Sequence, residues 1–376
     1  MVLAKSLAVF LGTVIGVGIF SLPFVALKAG FFITAVYLIS MAGVVVWVHF
    51  LYAEVVLKTE KIHRLTGYTE EYLGAGWKRS VFVIGLIGLG GSLIAYLIVG
   101  GDFLFSLLYP IFGGSPVLYT LIFFLFGSYL VYRDIKSISK IELLLVFILI
   151  FILSLFFITS YSFINTDYFK KIDSAFFTFP YGVVLFSLWG ASIIPEIKEM
   201  LKREMGKNLL SKNLKKIIAL GIVFSAFLYL FFIFITLGVS GPSTSKEAIS
   251  GLVDKLGVNI LGLGFIFGLL CCFTSFLTIA LTLKKMLNYD FGINKGLSWL
   301  FTCFIPFILF LLGLREYIKI IGFLGAVSLG IEGIVIVFLY RAFLMKRSFK
   351  MNPINYFLVF IFILGIIFEA VYFLKP

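Results

Sequence analysis

From Phe31 to Ala53 the chain carries no Asp, Glu, Lys or Arg, and apolar runs of similar length recur along the whole sequence. Such runs are at home in a hydrocarbon medium, where every backbone N–H and C=O must find its partner inside the protein. Helices meet that demand segment by segment. A membrane barrel would alternate apolar and polar residues, and these runs do not. The expected fold class is therefore an all-α polytopic membrane protein. Because 61% of the 376 residues are hydrophobic, about 229 in all, and a span takes roughly 20, the chain has material for about eleven spans and little else. A soluble enzyme is excluded on the same ground.

Hydropathy and loop charge predict spans near 3–28, 30–57, 80–108, 116–132, 141–160, 175–201, 216–238, 257–284, 297–313, 318–340 and 354–374. The run from Ser6 to Leu27 is too long for a signal-peptide core and is read as the first span. With the N-terminus in the cytoplasm, the inner segments (Lys5, 58–79, Arg133 to Lys140, Lys198 to Lys216, Lys284 to Lys295 and Arg341 to Lys350) hold 23 Lys and Arg, against 8 outside, counting Lys375. The positive-inside rule then predicts a cytoplasmic N-terminus and an external C-terminus in the cell membrane. The net charge of +13 is thus a topology signal rather than a nucleic-acid face. Cys271, Cys272 and Cys303 all lie in apolar runs, so neither disulfides nor a metal cluster is expected.

Two segments depart from plain membrane helices. The first holds Gly12-Thr13-Val14-Ile15-Gly16-Val17-Gly18 and then Pro23; the sixth holds Ser187-Leu188-Trp189-Gly190-Ala191-Ser192 and then Pro195. Glycine loosens the backbone and proline removes a donor, so both helices are expected to break near mid-membrane. Interrupted spans five apart suit a five-plus-five inverted repeat with the substrate between them. On that reading residues 1–160 form the first repeat, 175–340 the second, and 354–374 an extra helix, all in one transporter domain spanning 1–376. The plainer alternative is that these residues serve close helix packing.

A break in the first helix would present the N–H groups of Gly16, Val17 and Gly18 to a carboxylate. Unwound carbonyls around Ser187, Leu188 and Trp189 would suit an ammonium group, with Phe186, Trp189 and Gly190 beside it. In the third helix, Tyr96 follows a run of small residues and could hydrogen-bond the same carboxylate. Helix eight sets the Cys271 carbonyl and the Thr274 and Ser275 hydroxyls on one face, and the carbonyls of Gly12 and Ile15 would complete an all-oxygen site for Na⁺. Alternatively the two hydroxyls bond only their own helix. Asp102 and Glu54 are the ionisable residues put forward for proton coupling. His49 and Glu332 raise the same question, Glu196 is a candidate anchor or gate, and Glu369, close to a terminus, is expected to be solvated.

The stretches GTVIGVGIFSLPF, AYLIVGGD, FSLWGASIIPEIKEML and TSFLTIALTLKKML resemble the amino acid/auxin permease family of the amino acid-polyamine-organocation superfamily, the last being closest to its bacterial tryptophan/tyrosine permease branch. The resemblance covers nearly the whole chain. It implies a LeuT-like fold and secondary active transport of a neutral, aromatic or other, amino acid, with alternating access driven by Na⁺ or H⁺. By the superfamily pattern Gly16, Val17 and Gly18 match the carboxylate turn, and Gly12, Ile15, Cys271, Thr274 and Ser275 match a sodium site. Related proton-coupled permeases carry a helix-five lysine at that position, and this chain has none between Ile141 and Ser160. No resident cofactor, enzymatic activity or nucleic-acid partner is expected; the partners are a small-molecule amino acid and the lipid bilayer. An uncoupled exchanger of the same fold is the main alternative, and a channel or membrane scaffold a lesser one.

The charge distribution carries its own test. Single cysteines at Lys171 and Lys246, in a background lacking the three native ones, should react with an impermeant maleimide added outside intact cells, while one at Lys207 stays protected. The opposite labelling pattern would invert the topology.

Overall fold

The computed structural model describes residues 2–61, 63–133, 139–204 and 206–374. Lys375, and residues 134–138 of the basic loop that begins at Arg133, lie outside the described residues. The described residues form fifteen α-helices and no strand: α1 Val2–Val14, α2 Gly18–Ala29, α3 Phe31–Lys58, α4 Leu65–Leu73, α5 Ala75–Phe112, α6 Pro116–Tyr132, α7 Ser139–Ser160, α8 Pro180–Leu188, α9 Ile194–Lys202, α10 Lys207–Ser240, α11 Val253–Lys285, α12 Lys295–Leu311, α13 Tyr317–Phe323, α14 Gly330–Met345 and α15 Tyr356–Leu374. Among them eight segments are long and apolar enough to cross a membrane, or nine when the bent pair α1 and α2 counts as one; α6 and α12 are apolar helices of 17 residues each.

Helix ends follow from local chemistry. Asn294 caps α12 by accepting from the Leu297 N–H at 2.8 Å, and Pro116 sits where the first turn of α6 needs no donor. Gly30, at φ 110°, turns α2 into α3 beneath the Lys171 carbonyl, which a Cβ at that position would strike. Buried Lys198 donates to the Val56 and Thr59 carbonyls at 2.6 and 2.9 Å, closing the C-terminal end of α3.

Two segments are interrupted. α1 and α2 meet at a 50° bend across Ile15, Gly16 and Val17, where tight turns replace the helical ladder: Ile19 N–H reaches Gly16 O and Phe20 N–H reaches Val17 O. α8 stops at Leu188. Trp189 is extended, at φ −77° and ψ 128°, and a short turn over Ala191–Ile193 leads into α9 with Pro195 in its first turn. A third irregularity is the wide π turn Leu324–Leu329 joining α13 to α14.

The segment from α8 to α9 is the most enclosed of the spans, with 83% of its apolar window buried, whereas α15 lies at the periphery with 28%. α2 and α3 flank α8, α10 packs on α1, α2 and α3, and α5 runs against α11 and α6. The two ends of the bundle differ. One gathers Arg64, Glu196, Lys285 and Arg347; the other gathers Lys171 near Leu27, the Lys246–Glu316 ion pair and the loops around Asp173. Glu369, expected to be solvated, is 7% exposed, because α15 packs it against Gly322.

The wide turn is held to α8 by a glycine crossing: a Cβ on Gly325 would fall on the Gly182 carbonyl and the Phe186 amide, both rigid backbone. Gly325→Ala should therefore destabilise the protein by about 1–3 kcal/mol, the usual range for overpacking, read as a lower melting temperature in detergent. Gly262→Ala is the control, since nothing lies near that position.

Candidate functional site

The two interruptions touch each other. A Cβ on Gly18 would overlap the Ser187 side chain and its Cα, and one on Gly16 would overlap the Tyr96 hydroxyl. A Cβ on Gly190 would press into Val14 and Phe10. These glycines are needed first for close approach, and Gly16 and Gly18 then also line the cavity that the approach creates.

A residue with no sequence signal completes the junction. Tyr229, fully buried in α10, places its hydroxyl 2.8 Å from Val14 O and 2.9 Å from Ser187 O, so one O–H serves carbonyls from both broken helices. Those carbonyls sit where each helix ends and the amide four residues on has moved away. From α3, buried His49 accepts the Gly190 N–H at Nε2 over 3.0 Å and packs edge-on against Trp189, ring centroids 4.9 Å apart. Accepting at Nε2 places the ring hydrogen of the neutral imidazole on Nδ1.

The cavity between the breaks, about 70 Å³, is lined by Gly16, Gly18, Tyr96, Phe186, Ser187 and Trp189. Of the expected substrate residues Val17, Leu188 and Gly190 are not on its wall: Val17 and Leu188 are fully buried and Gly190 packs against α1. Tyr96 has Ser275 and the Val17 backbone beside its hydroxyl. Glu332 also lines this cavity, its Oε1 accepting from Trp189 Nε1 at 3.2 Å. Gly85, Leu89, Ser192 and Glu332 are shared with a second cavity that runs to Arg64 and Met286. Arg64 there pairs with Glu196, which also has Lys285 Nζ at 3.9 Å. At the opposite end Phe20 meets the rings of Phe103, Phe232 and Phe267 edge-on, with centroids at 4.9, 6.2 and 6.5 Å.

The five residues proposed for an ion lie where α1 crosses α11. Gly12, Ile15, Cys271 and Thr274 border a void of about 20 Å³ closed on the far side by Leu145, Val146 and Leu149 of α7. Thr274 Oγ1 lies 3.1 Å from Leu270 O and 3.3 Å from Cys271 O, within its own helix, while Ser275 Oγ donates across to Gly12 O at a long 3.4 Å. A void needs about 10–15 Å³ to take a water, so one small ligand fits, with oxygen donors on one side.

The two acids put forward for coupling are elsewhere. Glu54 is held by Lys58 at 2.6 Å and by Tyr340 at 3.2 Å, at the end that carries Arg347. Asp102 lines neither cavity and lies toward Glu247 and Tyr317 at the other end. His49 and Glu332 were legible as polar residues inside apolar runs, but only the fold brings both to Trp189.

A family model described as the tryptophan/tyrosine permease family matches residues 2–372. No individually curated protein matches significantly. Among solved structures, the chain is similar to MhsT in complex with L-phenylalanine, at 16% identity and a TM-score of 0.69 over 99% of this chain and 98% of that one. It is likewise similar to Mhp1, a nucleobase-cation-symport-1 family transporter, closed with bromovinylhydantoin bound, at 12% identity and a TM-score of 0.68 over 98% and 90%. A mutant of the Eremococcus coleocola manganese transporter matches at 14% identity and a TM-score of 0.70 over 99% and 86%. The fold is therefore that of LeuT-type transporters.

Tyr229→Phe should remove the hydroxyl from the buried Ser187 carbonyl and leave Val14 O with the Gly16 N–H alone, lowering stability by about 1–3 kcal/mol. Thermal unfolding in detergent measures this; an unchanged midpoint would show that the hydroxyl does not hold the junction.

Proposed function

The chain belongs to the tryptophan/tyrosine permease family, and from that premise we propose that it is a cation-coupled symporter of a neutral, in the first instance aromatic, amino acid, working by alternating access. The observation that carries the reading is the cavity between the two helix breaks, with Gly16 and Gly18 on one wall and Phe186, Ser187 and Trp189 on another. The substrate carboxylate binds at the Gly16–Gly18 turn, where α2 begins and the positive end of its dipole points inward, with the Tyr96 hydroxyl beside it. The ammonium group takes the carbonyl of Trp189, which lines the cavity, since that of Ser187 is engaged by Tyr229 and Leu188 lies off the wall. Phe186 and Trp189 enclose the side chain, and Gly190 and Val17 hold the two backbones in place. MhsT, whose structure holds L-phenylalanine, supports this choice of substrate class.

The nine candidate spans together with α6 and α12 support the eleven-span reading, with residues 1–160 and 175–340 as inverted repeats, the helix at 354–374 outside them, the N-terminus in the cytoplasm and the C-terminus outside. The coupling ion is Na⁺ or H⁺. For Na⁺ the ligands are the carbonyls of Gly12, Ile15 and Cys271 and the hydroxyls of Thr274 and Ser275. An ion there ties α1 to α11 and favours the arrangement that binds substrate, so substrate affinity rises with sodium, and reciprocally.

Uptake of labelled amino acids into proteoliposomes under an imposed Na⁺ or H⁺ gradient tests the reading, with aromatic amino acids expected to accumulate. Counterflow without accumulation under either gradient would make the protein an exchanger. If sodium drives uptake, Thr274→Val with Ser275→Ala should abolish the sodium dependence while leaving folding intact, because the pair nearly conserves volume and deletes two oxygens. Uptake indifferent to Na⁺ leaves those hydroxyls with a structural role.

A further inference from the structure

Among the described residues, Glu332 is the carboxylate that borders both the substrate cavity and the cavity running to Arg64. It lies near the middle of the Tyr317–Met345 span, just after the π turn Leu324–Leu329. Wide turns of this kind recur at functional positions in helices. Its recorded partner is the indole N–H of Trp189, and it has no ion-pair partner among the described residues.

The titratable and charged groups around it are few. α3 presents His49 and Tyr52, α5 presents Tyr96, the start of α4 presents Arg64 and α9 presents Glu196; farther along, Glu54 with Tyr340 occupies one end of α14, and Glu369 of α15 packs at Gly322 beyond the π turn. Arg64 pairs with Glu196 through Nη2, while its Nη1 is buried without a hydrogen-bond partner. Within the bilayer an unpaired carboxylate is costly, and it becomes neutral either by a counter-charge or by a proton. Arg64 makes no ion pair with Glu332 among the described residues, so in this arrangement the carboxylate is neutralised by a proton. His49 cannot take that role without losing its bond to Gly190, since protonation would turn Nε2 from acceptor into donor.

We propose that Glu332 carries the coupling proton of transport, a deeper assignment that rests on the symport reading above. The link to substrate is mechanical. Trp189 is the residue at which the backbone leaves α8, and its carbonyl is offered to the substrate ammonium while its indole holds Glu332. An ionised Glu332 accepts a charge-assisted bond and pins the indole; a protonated one accepts a weaker bond and frees it. Proton and substrate thus bias the same break, which is the requirement for coupling between two sites.

Glu332→Gln keeps the size and an oxygen for the indole but cannot bind a proton. In proteoliposomes it should still catalyse substrate counterflow, at whatever rate the altered cavity wall allows, while accumulation under a one-unit inward pH gradient, at most about tenfold for one proton per substrate, should vanish. Glu332→Asp should retain pH-dependent accumulation. A second readout does not depend on transport: with Trp47, Trp77 and Trp299 replaced by Phe, Trp189 fluorescence should show a pH transition that Glu332→Gln removes. Accumulation persisting in Glu332→Gln, loss of counterflow together with accumulation in a folded variant, or a Trp189 transition unaffected by the variant would each overturn the assignment. Wild-type protein that moves no amino acid would instead overturn the symport reading, and the fluorescence transition would still decide whether Glu332 binds a proton.

Discussion

Everything distinctive in this fold follows from the absence of water to satisfy a broken helix. An intact helix carries its own hydrogen bonds through hydrocarbon, and an interrupted one leaves carbonyls and amides that the protein must serve. Here the service comes from outside the broken segments. Tyr229 supplies one hydroxyl to Val14 and Ser187, and His49 supplies one ring nitrogen to Gly190. Each helper comes from an unbroken helix, α10 or α3, so the breaks are held within a frame that does not itself unwind. The same breaks bring Gly16, Gly18, Ser187 and Trp189 to the wall of one cavity.

Glycine works twice in the same places. Without Cβ atoms, Gly18 lies on Ser187, Gly16 on Tyr96 and Gly190 on Phe10 and Val14, and these contacts draw the two interrupted segments together. Functional and packing readings of the glycine-rich motif, which are alternatives when only the sequence is considered, are here one requirement. The approach that needs no side chain also brings exposed backbone to the cavity wall. Gly182, Gly322 and Gly325 form a comparable crossing between α8 and the π turn, so the helix that carries Glu332 is tied to the same half-helix.

This division explains what the sequence made legible. Uninterrupted apolar runs marked the long helices, and Gly and Pro inside two of them marked the breaks, because these signals are local. Gly16, Gly18, Tyr96, Phe186, Ser187 and Trp189 meet at one cavity, since breaks at matching positions converge. Tyr229 was illegible: it is one of 18 tyrosines in a chain rich in aromatic residues, and its role arises only from the approach of two distant carbonyls. Asp102 and Glu54 were conspicuous as charges within spans, yet position along the helix axis decides their surroundings. Glu54 lies one turn from Lys58 and is neutralised by it, and Asp102 lies toward Glu247. Glu369 was misjudged because nearness to the chain end says nothing about which face of α15 meets α13.

A cluster of rings around Phe20 sets an energy scale for moving α2 against its neighbours. Phe20 from α2 meets Phe103 of α5, Phe232 of α10 and Phe267 of α11, so four helices contribute one ring each to the cluster. An edge-on aromatic pair is worth roughly 0.5–1.5 kcal/mol beyond its area, and parting three of them therefore costs a few kcal/mol before hydration of the exposed faces is added. A shift of that size is what differential binding of one or two ligands can offset, since about 5.5 kcal/mol carries a two-state equilibrium from 1:99 to 99:1. Rings that touch by their edges thus make a contact between four helices that a shift of α2 can part at a cost within the range of ligand-binding energies.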